Sequence, residues 1–315
     1  MNSVIIGLGG ALPKKCVLNC ELPKSLDTSD EWIAQRTGIR QRYIACEGET
    51  TSSLAVEASK KAMSMAGASS DDIDLIIVAT ATGDYTFPAT ATIVQRELGV
   101  KNAMAFDVSA VCSGFIYAMD AADSRLKLSK SKCALVIGAE TFSRLVDWTD
   151  RSTCVLFGDG AGAVVLRSED STKGIQSSLI YSDGSGVEHL KTSGGVSTTK
   201  TIGSVLMNGK EVFRAAIEKF NESLQMLLSL NCMTIDDVDL LVPHQANSRI
   251  IEKLIVSSGI DRAKVLITIE RHANTSAASI PLAMSELGAG IFTKKNVVLL
   301  SMGAGFTWGA MLLRF

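Results

Sequence analysis

Asp71-Asp72-Ile73-Asp74-Leu75-Ile76-Ile77-Val78 returns later in the chain as Asp236-Asp237-Val238-Asp239-Leu240-Leu241-Val242-Pro243, at an offset of 165 residues (236 − 71). Each copy ends in an apolar run without alternation, the pattern of a strand buried on both faces. Each follows an amphipathic stretch at helical spacing, with Leu54, Ala58, Ala62 and Met65 before the first and Phe213, Ile217, Phe220, Leu224 and Leu227 before the second. Downstream, Ala103–Val108 reads as a strand, followed by Cys112-Ser113-Gly114 and a helix through Ala122. In the second half Lys264–Ile269 reads as the matching strand, followed by Asn274-Thr275-Ser276 and a helix through Glu286. Cys133–Gly138 matches Asn296–Ser301, and Gly160–Leu166 matches Gly305–Leu313. Helix, buried strand, strand, helix, strand, strand in each half predicts a duplicated, layered α/β architecture. The two halves are residues 1–170 and 171–315, with no Pro- or Ser-rich linker between them.

Composition narrows the function. The 315 residues are 46% hydrophobic and 20% charged, with a formal charge of −2, so no global positive field draws the chain to nucleic acid or membrane. No apolar run reaches the length of a membrane-spanning helix. Met1–Gly7 lacks the basic start and long apolar stretch of a signal peptide and reads as a buried strand. A cytoplasmic protein with reduced thiols is therefore expected. The six cysteines besides Cys112 show no CxxC spacing and no histidine cluster, so no zinc site is expected. Gly158–Gly162 and Gly303–Phe306 are not followed by Gly-Lys-Ser/Thr, which excludes a P-loop. Gly7-Leu8-Gly9-Gly10 opens no helix and lacks the dinucleotide fingerprint.

Three residues carry candidate chemistry. Cys112 sits between a strand and a helix, so it lies at a helix N-terminus, where free N–H groups and the helix dipole favour a thiolate nucleophile. A lone cysteine is more often structural, so this signal is weak by itself. His244, in Val242-Pro243-His244-Gln245-Ala246-Asn247, follows the repeated strand at the end where α/β proteins place ligand sites. A satisfied polar residue closing the strand is the plainer reading of it. Asn274 lies near the counterpart of Cys112, at an offset of 162 (274 − 112), and reads equally as a helix cap. The duplication predicts that the two helix starts face each other across a pseudo-two-fold axis, bringing Cys112, His244 and Asn274 together. His272 reads as support for the Asn274 loop, and His189 as plain surface.

Taken together, these motifs resemble β-ketoacyl-acyl-carrier-protein synthase III, the initiating condensing enzyme of type II fatty acid synthesis. The resemblance rests on the Cys112 turn, Val242–Asn247, His272–Ser279 and the closing Gly305-Phe306-Thr307-Trp308-Gly309, and runs from the first strand to Phe315. It implies a thiolase-like, duplicated αβαβα five-layer fold, a homodimer and a Cys112-His244-Asn274 catalytic set. Thiolases carry a second catalytic cysteine, for which there is no candidate beside the last glycine turn. The resemblance implies an acyl-CoA primer and malonyl-acyl carrier protein as substrates, with backbone N–H groups of Cys112 and Ala304 as the oxyanion hole and no cofactor or metal. For CoA it implies Thr28, Trp32, Arg36, Thr37, Arg151, Gly209 and Asn247, and for the acyl pocket Met302 with Phe87 offered across the dimer. For the carrier protein it implies Arg214, Arg249, Gln245 and Lys253, with Lys210 extending the patch. Val256, Lys210 and Met302 depart from residues common in the family. Leu190 and Val205 also set pocket width. A synthase III-like condenser of secondary metabolism is the competing enzyme reading. A non-catalytic acyl-binding subunit is the competing reading of another class, against which Cys112 stands.

Overall fold

The computed structural model describes residues 1–128 and 131–315. Its first half runs β1 (Asn2–Ala11), β2 (Lys15–Leu18), α1 (Asp30–Thr37), β3 (Gln41–Ile44), α2 (Thr51–Ala66), β4 (Leu75–Ala79), α3 (Thr90–Leu98), β5 (Met104–Val108), α4 (Gly114–Lys127), β6 (Cys133–Glu140) and β7 (Gly160–Glu169). The second runs β8 (Gly174–Ser182), β9 (Leu190–Thr192), β10 (Val205–Met207), α5 (Gly209–Leu230), β11 (Leu240–Pro243), α6 (Ser248–Ser258), α7 (Ile269–His272), α8 (Ser279–Leu287), β12 (Asn296–Gly303) and β13 (Thr307–Arg314). The main sheets have orders β1-β7-β6-β4-β5 and β11-β12-β13-β8. In each, the repeated strand runs parallel to its inner neighbour, β4 to β6 and β11 to β12. The next strand returns antiparallel.

The unalternating apolar runs have the expected cause. Leu135 and Ile137 of β6 face α2 and α3, while Ala134 and Val136 face the middle of the molecule. There Phe115 and Met119 of α4 and Ile280 and Met284 of α8 fill the space between the two sheets. Phe220 and Leu224 of α5 and Ile251 and Leu254 of α6 close the far face against Leu241, Val298 and Leu300. The result is five layers, αβαβα. Gly7 and Gly9 of β1 are packing residues: a Cβ there would lie 2.2 Å from the Ala62 carbonyl oxygen and 2.1 Å from that of Ala58, so α2 rests directly on the strand. Among the described residues no helix is long and apolar enough to cross a membrane.

One element departs from expectation. Lys264–Ile269 is not a strand but a 3₁₀ turn at Arg262–Lys264, a single bridge from Val265 to Leu241, and then α7. The Gln245 side chain replaces the missing ladder. Its Nε2 donates to the Pro243 and Leu266 carbonyls at 2.7 and 3.1 Å, and its Oε1 accepts from the Thr268 and Ile269 N–H groups at 2.8 and 3.1 Å. Gln245 is 1% exposed, so it is a structural staple and not part of a carrier-protein surface. Gln245→Leu should lower unfolding stability by about 2–4 kcal/mol, because it strands several backbone groups in the interior. Chemical denaturation measures this, and a loss under about 1 kcal/mol would contradict it.

Candidate active site

The 3₁₀ turns Val111–Ser113 and Ser276–Ala278 lead into α4 and α8, and the two units repeat at the offset of 165 (276 − 111). They meet across the pseudo-axis. A Cβ on Gly114 would lie 3.6 Å from the Ala277 Cβ. The inner strand of each half grips the turn of the other. Ser301 Oγ of β12 donates to the Cys112 carbonyl at 2.6 Å. A Cβ on Gly138 of β6 would lie 2.2 Å from the Ala277 carbonyl oxygen. At this offset the residue in the place of Cys112 is Ala277, not Asn274, which matches Ser109 instead.

His244 follows β11, its N–H donating to the Leu300 carbonyl at 2.7 Å. Its Nδ1 is 2.6 Å from Ser279 Oγ, the first residue of α8. That Oγ also accepts from the Gln245 N–H at 3.4 Å. A hydroxyl that accepts there is free to donate to Nδ1, which leaves the imidazole proton on Nε2, toward the cavity that His244 lines. Asn274 is fixed by its backbone bonds to Leu156 and Gly158. Its Oδ1 accepts from the Ser276 N–H at 2.9 Å, which leaves the Nδ2 donors available to the same cavity. His272, buried behind this loop, ties it to α8 through a 2.8 Å contact with Glu286. His189 is half-buried, its ring stacked 5.9 Å from Phe306.

The electrostatics differ from expectation at Cys112. Burial pushes its thiol up to about 12; the Ser276 hydroxyl pulls it down and the Glu140 carboxylate raises it further. Enclosure under the α8 turn outweighs the helix N-terminus, so the resting residue is a thiol. Burial alone drives His244 down to about 3, so its imidazole is neutral at pH 7. Gly303 ends β12 against the nucleophile; a Cβ there would lie 2.9 Å from the Cys112 nitrogen. A side chain at 303 would block that donor, and glycine leaves it open.

A cavity of about 890 Å3 joins Cys112, His244, Asn274, Met302, Gly303 and Ala304 to Trp32, Arg36, Thr37, Arg151, Gly209 and Asn247. Two guanidiniums lie near the Trp32 ring, Arg36 at 5.0 Å and Arg151 at 5.5 Å from its centroid. Arg151 also pairs with Asp27 at 3.0 Å. Thr37 spends its hydroxyl on the end of α1, donating to the Ile33 carbonyl and accepting from the Ile39 N–H. Asn247 caps α6, its Oδ1 accepting from the Arg249 N–H at 2.9 Å. Thr28 lies outside the cavity lining, in the turn ahead of the Ser29 cap of α1. Leu190, Val205, Lys210 and Arg249 line the cavity as well. Arg249 also lies 5.8 Å from the Phe213 ring centroid, and Arg214 pairs with Glu211 at 2.6 Å. Lys253 is exposed. Phe87 is 83% exposed and off the cavity. Sequence reasoning assigned no role to Ser279, Ser276 or Glu140. Comparing the two halves position by position was the available signal.

Fold and site define a thiolase-like condensing acyltransferase. The family models of 3-oxoacyl-(acyl-carrier-protein) synthase III match residues 106–184 and, for its C-terminal part, 228–315. The β-ketoacyl-(acyl-carrier-protein) synthase III of Paramagnetospirillum magneticum is 54% identical, over 100% of this chain and 99% of its own. The crystal structure of 3-oxoacyl-(acyl-carrier-protein) synthase III from Aquifex aeolicus superposes with a TM-score of 0.94 at 45% identity, covering 99% of this chain and 100% of its own. The priming β-ketosynthase of the R1128 polyketide pathway superposes at 0.94 with 33% identity, covering 100% of this chain and 96% of its own. The chain belongs to the 3-oxoacyl-(acyl-carrier-protein) synthase III family.

The buried histidine has a pH signature. Its folded pKa, about 3, lies below its ordinary value of 6.5. A group so depressed contributes stability that is present above 6.5 and is lost as pH falls toward 3. Stability should therefore decline through that window, and His244→Asn should flatten the decline. An NMR titration should show the His244 ring neutral at pH values where an exposed histidine is already charged; titration near 6.5 would refute this.

Proposed function

We propose that this chain joins an acyl-CoA primer, acetyl-CoA by default, to malonyl-acyl carrier protein. The product is a 3-oxoacyl-acyl carrier protein, and the reaction initiates type II fatty acid synthesis. One observation carries the reading: a single cavity leads from Trp32, with Arg36 and Arg151 near its ring, to Cys112, His244 and Asn274.

The roles follow from the chemistry. The adenine of CoA stacks with Trp32 and the Arg151 guanidinium, which suits an aromatic ring beside a cation. Arg36, Thr37 and Thr28 lie toward the nucleotide, and Gly209 and Asn247 along the pantetheine arm. The Cys112 sulfur attacks the thioester carbonyl carbon and gives up its proton, the Cys112 and Ala304 N–H groups hold the oxyanion, and the carbon–sulfur bond to CoA breaks with that proton leaving on CoA as its thiol. Malonyl carrier protein then loses carbon dioxide, and the electron pair of the broken bond delocalises onto its thioester oxygen. Nε2–H of His244 and Nδ2–H of Asn274 donate to that enolate. The carbanion attacks the acyl carbon, and Cys112 leaves as a thiolate that takes up one proton from solvent to restore the resting thiol. Decarboxylation supplies the carbanion, so the reaction as drawn uses no cofactor or metal.

Arg214, Arg249, Lys253 and Lys210 form the basic landing site for the acidic carrier protein, and Met302 lines the acyl end. Phe87, exposed on the loop before α3, serves the acyl pocket of a partner copy in a cytoplasmic homodimer. A secondary-metabolism condenser is not favoured, because the relative at 54% identity is a β-ketoacyl-(acyl-carrier-protein) synthase III, whereas the polyketide enzyme stands at 33%.

Incubation with acetyl-CoA should add one acetyl group to the intact mass of the wild type and none to Cys112→Ala. A folded wild type that gains nothing would exclude acetyl-CoA as primer. Trp32→Ala should raise the KM for the acyl-CoA about 10-fold with little change in kcat, the loss of one stacking and cation–π contact. An unchanged KM would remove Trp32 from the CoA site.

A further inference from the structure

The contact between His244 and Ser279 is part of the repeat. At the offset of 165, His244 stands in the place of Ala79 (244 − 79) and Ser279 in the place of Gly114 (279 − 114). Ala79 ends β4 and Gly114 opens α4, as His244 follows β11 and Ser279 opens α8. The first-half pair also lies side by side: a Cβ on Gly114 would come within 3.1 Å of the Ala79 Cβ. The backbone therefore brings these two positions together in both halves. In the first half they carry only a methyl group and a hydrogen atom. In the second they carry an imidazole and a hydroxyl, with Nδ1 2.6 Å from Oγ.

The hydroxyl constrains the ring through its supply of donors and acceptors. Ser279 is 3% exposed and His244 2% exposed, so neither relies on bulk water. Among the described residues the Ser279 Oγ meets two polar atoms, His244 Nδ1 at 2.6 Å and the Gln245 N–H at 3.4 Å. The second can only donate. The one acceptor within reach of the Ser279 proton is therefore Nδ1, and only while Nδ1 carries no proton itself. In the opposite tautomer the Nδ1–H group would take that place, and the Ser279 proton would be buried without an acceptor, which is costly. An imidazolium would have the same effect. The hydroxyl thus selects one of three states of the ring: neutral, with its proton on Nε2. A carboxylate in this position would favour the other two, since it accepts from Nδ1–H and steadies a positive ring, the arrangement that makes a histidine a base. The uncharged partner agrees with a ring that burial alone holds down at about 3.

We propose that Ser279 is a positioning residue that locks His244 as an Nε2–H donor, and that the reaction needs this lock in the malonyl step and not in the transfer of the acyl group to Cys112. The inference rests on the donor role given to His244 above. Ser279 does not line the cavity and acts only through the imidazole. In the acyl transfer, backbone N–H groups serve the oxyanion, and the state of the ring is immaterial. In the decarboxylation Nε2–H meets the enolate oxygen. With the proton on Nδ1 a lone pair would face that oxygen instead and repel it.

The test has two readouts. In the full chain, labelled with nitrogen-15 at histidine and free of substrate, NMR of the His244 ring shows which nitrogen carries the proton; His244→Asn assigns the signals. The wild type should show Nε2–H alone, and Ser279→Ala should populate Nδ1–H. The second readout separates the two halves of the reaction. In Ser279→Ala, Cys112 should be acetylated by acetyl-CoA at the wild-type rate, while carbon dioxide is released from malonyl-acyl carrier protein about 10-fold more slowly. A residue that only holds up the fold would slow both. If Ser279→Ala fails to fold, Ser279→Cys, which keeps the shape of the side chain and offers only a weak donor, decides by the same two readouts. The first readout uses no substrate, so a wrong primer or a wrong carrier leaves it intact. A wild-type proton on Nδ1, an unchanged tautomer in the variant, unchanged decarboxylation, or both half-reactions slowed alike overturns the proposal.

Discussion

Two backbone turns pressed against each other govern the rest of this molecule. Val111 and Ser276 hold φ of 47° and 50°, a left-handed conformation that side-chain-bearing residues rarely adopt, and they are separated by the repeat offset of 165 (276 − 111). Strain of that kind costs about 1–3 kcal/mol at each position and persists only where the surroundings over-determine it. Here they do. Ser301 Oγ holds the Cys112 carbonyl, Ser113 Oγ lies 2.6 Å from Thr307 Oγ1, and Thr307 Oγ1 donates to the Ala110 carbonyl at 3.2 Å. The second half therefore clamps the nucleophile turn of the first. The steric demands at Gly114, Gly138 and Gly303 follow from that contact. So does the central layer of α4 and α8, whose starts are the two turns.

A symmetric backbone becomes an asymmetric site through a few exchanged side chains. Cys112 stands opposite Ala277, Ser301 takes the place of Gly138, and Gly303 takes the place of Glu140. Each exchange has a physical consequence. Glycine at 303 leaves the nucleophile's N–H open to a developing oxyanion, while the glutamate at 140 carries a buried carboxyl that accepts from the Ala81 N–H at 3.2 Å and Thr82 Oγ1 at 2.5 Å. Only the first turn is thus left open for transient negative charge.

Much of this was legible in the sequence, and the parts that were not share a cause. The repeated strands announce themselves because burial on both faces removes alternation, and the end of β11 places His244 without knowledge of side-chain direction. The acidity of Cys112 was misread because enclosure comes from a turn more than 160 residues away (276 − 112), which no local pattern contains. Gln245 lies in the motif beside His244, yet motif position does not say that its carboxamide turns inward to replace a strand. Lys264–Ile269 has the composition of a strand and loses that role to the same side chain. Local propensity is overridden wherever a distant polar group satisfies the backbone first.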